Sequence, residues 1–495
     1  MSIICCIDDA TWKESPLRRW VLYVFCFATV STAAGIVYGW PALRRQLQAD
    51  GSTLDESSLG AIFTVGAWST QGGRFFVGLA RDRYGTKRVT STCIFLVAMG
   101  SVGVAWSGSS NAPALGVSMF LVGLGSGAQL CVQPVAGLFP DTSGTVIATL
   151  SGAFQISGLV FLAFTSGYEA GTRKARFTGY AIIMVVITVC AMILLPMGKS
   201  FVLEQPISSN TQARISNDNL ETAPTEREIS STLRDTTDGG RESPAVIEER
   251  NATHLPIEEG AEADSEEVDV GAQAGKVENS GTPKDPEVAL TEEDATSQAD
   301  PITLLEQLKS IEYICLCIWF SICLIPLQYY IGSIGFQLED KGDTGFYSDL
   351  FSIVYAAAFV VSPAGGFLSD KLSFGITQGL ATVMCAGSFF FLASNISLKG
   401  QAIGLVLYGV GRLLVFGMYF ANCGNRFGYA NFGTLARLGL LTSALISLLQ
   451  SPMISAAANG QARTVNLCSG ALLVAQLPYF VWLHRREKKV PGAQY

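Results

Sequence analysis

Gly78-Leu79-Ala80-Arg81-Asp82-Arg83-Tyr84-Gly85-Thr86-Lys87-Arg88 links two long apolar runs, and the reading of this link decides the fold. A dense group of cations between apolar runs marks a loop held at one face of a membrane. The glycines let helices approach closely, and a carboxylate at a helix end can pair with cations or with a facing helix N-terminus. A shortened copy, Gly366-Phe367-Leu368-Ser369-Asp370-Lys371, recurs later, with the two aspartates 288 residues apart. A second pair, Gly144-Thr145 and Gly433-Thr434, repeats at an offset of 289. Two pairs at nearly one spacing indicate an internal duplication. A six-helix unit repeated in parallel orientation is how one class of secondary carrier builds two halves around a central cavity.

Working outward from the link, each bilayer crossing needs about 20 apolar helical residues. Runs of that length fall near 19–41, 58–80, 87–107, 113–136, 143–167, 177–197, 311–334, 347–369, 374–394, 400–422, 433–456 and 464–484. The expected fold is therefore an all-α membrane protein of twelve transmembrane helices in two six-helix bundles, 19–197 and 310–484, with cytoplasmic tails at 1–18 and 485–495. Composition agrees, since 49% of the chain is hydrophobic and 15% charged, against about a quarter charged in soluble domains.

Between the bundles, residues 198–309 read as a disordered cytoplasmic loop. Residues 204–300 hold 24 acidic and 7 basic side chains, and no aromatic residue occurs from Val202 to Glu312. Such a segment buries too little apolar surface to offset its chain entropy. Removing it leaves 26 basic and 17 acidic residues, so the net charge of −8 hides a basic membrane part. About 15 Lys and Arg then fall on the side of the termini and about 8 on the other, which places both termini in the cytoplasm. The loop 205–300 offers Ser and Thr for phosphorylation and for cytoplasmic partners.

Of the 2 histidines, His254 lies in the polar stretch and His484 at the end of the last span, and most of the 12 cysteines lie inside apolar runs, without metal-ligand spacing. No nucleophile, nucleotide or metal motif occurs, so an enzyme, a cofactor or a nucleic-acid partner is not expected. The expected partners are the lipid bilayer and a small solute.

The link at 78–88 resembles the signature loop of the major facilitator superfamily, with a decayed copy in the second half. The resemblance implies that Gly78, Asp82, Arg83, Gly85, Lys87 and Arg88, with Gly366, Asp370 and Lys371 of the copy, latch the cytoplasmic side. Shorter words are similar to the sodium-independent L-type neutral amino-acid facilitators and their fungal and protist relatives. They are Gly39-Trp40-Pro41-Ala42-Leu43, Leu138-Phe139-Pro140, Gly144-Thr145-Val146-Ile147-Ala148, Gly152-Ala153-Phe154-x-x-Ser157, Tyr168-Glu169-Ala170-Gly171 and Tyr408-x-x-x-Arg412. This implies facilitated amino-acid transport. Gln155 stands where many relatives carry Asp, and Gly137 where Asn often precedes Leu-Phe-Pro, so the solute is open at these positions.

Ionisable residues at membrane depth are costly and usually functional. Arg74 in the second span and Arg412 in the tenth qualify, and no Asp, Glu, Lys or His lies in the middle of any span. A carboxylate proton relay is thereby disfavoured, and a solute bearing a carboxylate suits the arginines. Its ammonium group would meet an aromatic face or hydroxyl among Tyr38, Tyr329, Tyr330 and Tyr355. Gln71, Gln129, Gln133, Gln155, Ser157 and Gln328 complete the candidate set. Two rival readings are a carrier of small organic or inorganic anions and a non-transporting sensor that signals through its loop.

Overall fold

All regular structure among the described residues (16–139, 142–165, 172–198, 201, 303–362, 368, 372–427 and 431–489) of this computed structural model is helical. The helices α1 (Pro16–Ala33) and α2 (Trp40–Ala49) form one bent crossing, joined through a 3-10 turn at Ile36–Gly39 with a 42° bend. Pro41 lies in the first turn of α2, where its missing N–H breaks no helical bond, so it starts a helix here rather than ending one. The first span therefore runs on to Ala49 instead of stopping at 41, and it draws Arg44 and Arg45 into the folded body.

The helix α3 (Glu56–Tyr84) is capped by Asp55, whose carboxylate accepts from Ser58 N at 3.3 Å. Hydrogen bonding to the Ser58 side chain and backbone holds that carboxyl below the usual range. Gly85, at φ 85°, ends α3, and α4 (Thr86–Trp106) starts at once. The N–H groups of Thr86 and Lys87 donate to Gly198 O (3.0 Å) and Pro196 O (3.1 Å), tying the link to the chain that follows the sixth crossing. A Cβ on Gly85 would be driven into Met197 O. With the left-handed backbone added, Gly85→Ala is expected to cost roughly 2 kcal/mol or more, read as a lowered melting temperature of the detergent-purified protein.

The first half continues with α5 (Ala112–Gly125), α6 (Ala128–Val132), α7 (Ser143–Ile156), α8 (Leu159–Thr165) and α9 (Thr172–Leu194). The second holds α10 (Leu304–Lys309), α11 (Ile311–Glu339), α12 (Phe346–Ala357), α13 (Phe374–Ala393) and α14 (Leu398–Phe427). It closes with α15 (Phe432–Ser447), α16 (Gln450–Ala456), α17 (Ala462–Val474) and α18 (Leu477–Lys489). The short α10 falls within the stretch expected to be disordered, where Thr303 and Glu306 close a capping box. The rest of that loop from 202 to 302, and Gly366, Asp370 and Lys371, lie outside the described residues.

Among the described residues, eight helical stretches are long and apolar enough to cross a membrane, or nine with the bent first pair. One of them, Phe432–Lys488, has 57 residues, about 85 Å of helix at 1.5 Å per residue and too long for one crossing. Non-helical backbone at Asn459 and Gly460 divides it. The helix α3 is less apolar because it carries Gln71 and Arg74, and the helix from Phe346 to Val361 is short. The grouping is consistent with twelve crossings, six before residue 201 and six after 303.

Ile182, Val186, Val189 and Met192 of α9 are exposed, an apolar face that suits lipid rather than water. Inside, small residues bring backbones together: Gly100 and Gly103 of α4 meet Ser118 of α5, Gly123 meets Ser69 of α3, and Gly411 of α14 meets Cys385 of α13. The glycine runs at 123–127 and 409–411 are thus helix-packing surfaces.

Candidate functional site

Tyr38, at the bend of the first crossing, joins the two halves of the chain. Its Oη accepts from Gln71 Nε2 at 2.8 Å and from Gln328 Nε2 at 3.1 Å. Arg74, one turn along α3 from Gln71, donates to Gln129 Oε1 at 2.6 Å, approaches Gln71 Oε1 at 3.5 Å and lies 4.6 Å above the Phe154 ring. On the other side, the Arg412 guanidinium stacks 4.5 Å from the Tyr38 ring and 5.0 Å from the Phe416 ring. Its Nε donates to Tyr355 Oη at 3.3 Å, and Nη1 lies 3.5 Å from Tyr408 Oη. One connected group therefore holds both buried arginines, and none of Tyr38, Gln71, Arg74, Gln129, Gln155, Gln328, Tyr355 and Arg412 is more than 5% exposed.

Several of its polar atoms have no protein partner: Nε of Arg74, Nη2 of Arg412 and Oε1 of Gln328, and Oε1 of Gln155, which follows Phe154 in α7, is likewise buried and unpaired. Neither arginine has a carboxylate within ion-pair distance among the described residues. The two acceptors bound to Arg74 are amides and those facing Arg412 are phenols. A guanidinium stays charged at any physiological pH. The group thus presents positive charge, free N–H donors and the free amide carbonyl of Gln328, framed by Tyr38, Phe154, Tyr355 and Tyr408.

The other sequence candidates are placed differently. Ser157 is a brace: its Oγ accepts from Gly35 N at 2.5 Å and donates to Phe154 O at 2.6 Å, pinning the break between α7 and α8 to the bend of the first crossing. Gln133 is half-buried in a 3-10 turn, Gln133–Leu138, with no bond to the group. Tyr329 points away, because consecutive helical residues lie about 100° apart. Its hydroxyl donates to Asn466 Oδ1 at 3.0 Å and accepts from Gln337 Nε2 at 3.0 Å, in a network that is complete without a ligand. Tyr330 instead backs the site, stacked 4.0 Å from Tyr408. Tyr408, Phe154 and Phe416 were not in the candidate set, since an aromatic residue in an apolar span carries no signal of its own.

Both ends of the group are crossed by ion pairs between the halves. At the end remote from the termini, Arg44 binds Glu56 of α3 through Nε and Nη2 (2.7 and 2.6 Å) and Glu339 of α11 through Nη1 and Nη2 (2.8 and 2.7 Å). Arg45 adds Asp349 of α12 at 3.0 Å. At the link end, Asp82 receives Nη1 of Arg437 from α15 at 2.7 Å, and a side chain on Gly78 would collide with that arginine. Arg83 lies over the Tyr84 ring. Among the charges of the link, Asp82 makes a cross-half ion pair. Arg437 was not among the sequence candidates, and Arg44 lay beyond the expected first span.

Comparison with known proteins follows the same lines. The profile of the Major Facilitator Superfamily matches residues 20–450. The chain is 22% identical over 477 residues to equilibrative nucleobase transporter 1 of Bos taurus, covering 85% of this chain and 86% of the relative. Among solved structures, it is similar to the inward-open xylose transporter XylE of E. coli (TM-score 0.58, 11% identity, 94% and 96% of the two chains covered). It is also similar to the nucleoside transporter NupG (TM-score 0.57, 10% identity, 93% and 99% covered). At such identities these structures speak for the fold alone. The chain belongs to the Major Facilitator Superfamily and is an integral, multi-pass membrane transporter of small solutes.

Proposed function

We propose that the solute carries a carboxylate, an amino acid foremost, and that it crosses by alternating access without a coupling ion. The observation that carries this reading is the pair of buried guanidiniums, each with an N–H free of protein partners and neither with a carboxylate among the described residues. Two cations held in the interior without a counter-charge are costly, and a bound carboxylate supplies that counter-charge with bidentate geometry. The free carbonyls of Gln155 and Gln328 suit the ammonium of a zwitterion. No titratable acid lies in the group to carry a proton, which supports facilitated diffusion. The Arg44 cluster and the Asp82–Arg437 pair act as the two alternating closures, with the link end facing the cytoplasm.

One observation favours a second reading. Arginine and glutamine beside aromatic rings also read the edges of nucleobases, and the bovine relative is named for nucleobase transport. Charge separates the two, because a neutral base leaves both guanidiniums uncompensated. The test is uptake of labelled leucine, arginine, a monocarboxylate and adenine into proteoliposomes, with and without proton and sodium gradients. Gradient-independent leucine uptake supports the first reading, and adenine uptake that leucine does not inhibit overturns it for the second.

A further inference from the structure

The helix α11 and the broken helix α15–α16 run side by side in a single register. Tyr313 Oη donates to Leu435 O at 2.8 Å, and the Oγ atoms of Ser321 and Ser443 lie 2.9 Å apart, each pair separated by 122 residues. Further along, a Cβ on Gly332 would lie 2.5 Å from Ile454 Cδ1, and 332 and 454 are again 122 apart. The register survives the break between Ser447 and Gln450, so it sets Gln450 level with Gln328, at the same separation of 122. Seven residues make about two turns. Gln328 therefore shares the face of Ser321, and, within α16, Gln450 lies one turn before Ile454 as Gln328 lies one turn before Gly332, so the register sets the two glutamines at one level of the packed pair.

Both side chains are 0% exposed, yet neither amide satisfies the other. Nε2 and Oε1 of Gln450 and Oε1 of Gln328 have no hydrogen-bond partner. A buried polar atom left unpaired costs about 1–3 kcal/mol, so a mere helix-packing role leaves these atoms unexplained. Gln328 gives its Nε2 to Tyr38, the residue against which Arg412 stacks, so this level of the pair adjoins the site.

We propose that Gln450 contacts the solute and forms with Gln328 an amide clamp for its nitrogen-bearing group, the two Oε1 atoms accepting N–H bonds from an ammonium or an amine. The inference rests on the reading that the Tyr38–Arg412 group binds solute, and it deepens that reading by dividing the work: the guanidiniums take the acidic part, the clamp takes the nitrogen.

The experiment compares matched probes on the full-length protein in proteoliposomes. Leucine is set against 4-methylpentanoate, the same skeleton without the amine, and adenine against purine. In Gln450→Leu the amine-bearing member of the transported pair is expected to bind about tenfold more weakly, the size of one lost hydrogen bond, while its partner changes less than about twofold. Gln328→Leu and Gln450→Asn are expected to move the same ratio, which keeps the test usable if one variant does not fold. A ratio unchanged in whichever pair the parent protein takes overturns the clamp and leaves the carboxylate reading standing. A shifted ratio for adenine alone, with no leucine binding, upholds the clamp and overturns the carboxylate reading. If neither pair binds to the parent protein, both fall.

Discussion

Arg412→Leu is expected to reduce solute uptake at least a hundredfold while leaving the apparent melting temperature unchanged or raised. The two halves of this expectation come from one fact. Arg412 is 1% exposed, is held by aromatic faces and phenols, and has no carboxylate among the described residues to offset its charge. A buried, uncompensated cation is a burden on the fold, so an apolar leucine, though shorter, is tolerated. The solute loses its charge-assisted anchor, and truncating one partner of a buried charge pair costs about 2–5 kcal/mol of binding. Arg412→Lys is expected to fail almost as badly, because an ammonium lacks the planar fork that holds a carboxylate with two bonds. Uptake at the parent rate in Arg412→Leu, with protein amounts matched, would remove the site from the mechanism.

The second large effect belongs to the far closure. Arg44→Leu leaves Glu56 and Glu339 facing each other with the cation gone from between them. Breaking a buried ion pair costs about 3–5 kcal/mol, but these carboxylates are a quarter to a third exposed, and solvent screening brings the figure to about 2–3 kcal/mol. Spread over a two-state equilibrium, that shifts populations roughly 30- to 100-fold toward the state open at this end. Spin labels on Ala49→Cys and Thr344→Cys, exposed positions on the two halves, are expected to report a longer distance in Arg44→Leu. An unchanged distance distribution would mean that the cluster is a brace and not a closure.

Reading the sequence recovered the all-helical membrane fold and the two buried arginines, since each rests on a strong physical signal, and the twelve expected crossings are consistent with the helices described. Charges in apolar runs stand out, and so does a motif repeated at one spacing. What stayed hidden depended on direction rather than on composition. The stretch Trp40-Pro41 looked like a stop until the structure placed Pro41 in the first turn of a new helix, and that single reading concealed Arg44. Tyr329 and Tyr330 are indistinguishable as letters, yet one side chain turns to Asn466 and the other stacks on Tyr408. Arg437 acquires a role only when Asp82 is seen 2.7 Å away across the halves. Gln450 is a plain glutamine until the register with α11 sets it beside Gln328.

The paired guanidiniums of Arg74 and Arg412 also make the carrier sensitive to membrane voltage. A charge that faces first one bath and then the other moves through part of the transmembrane field, worth up to about 2.3 kcal/mol per charge for each 100 mV. The empty carrier and a carrier loaded with a zwitterion return with the same net charge, whereas one loaded with a monocarboxylate returns with one charge fewer. In the proposed uncoupled carrier, polarisation of the membrane therefore acts equally on the empty and the zwitterion-loaded return steps and less strongly on the return loaded with a monocarboxylate, so the voltage dependence of uptake separates the two classes of solute.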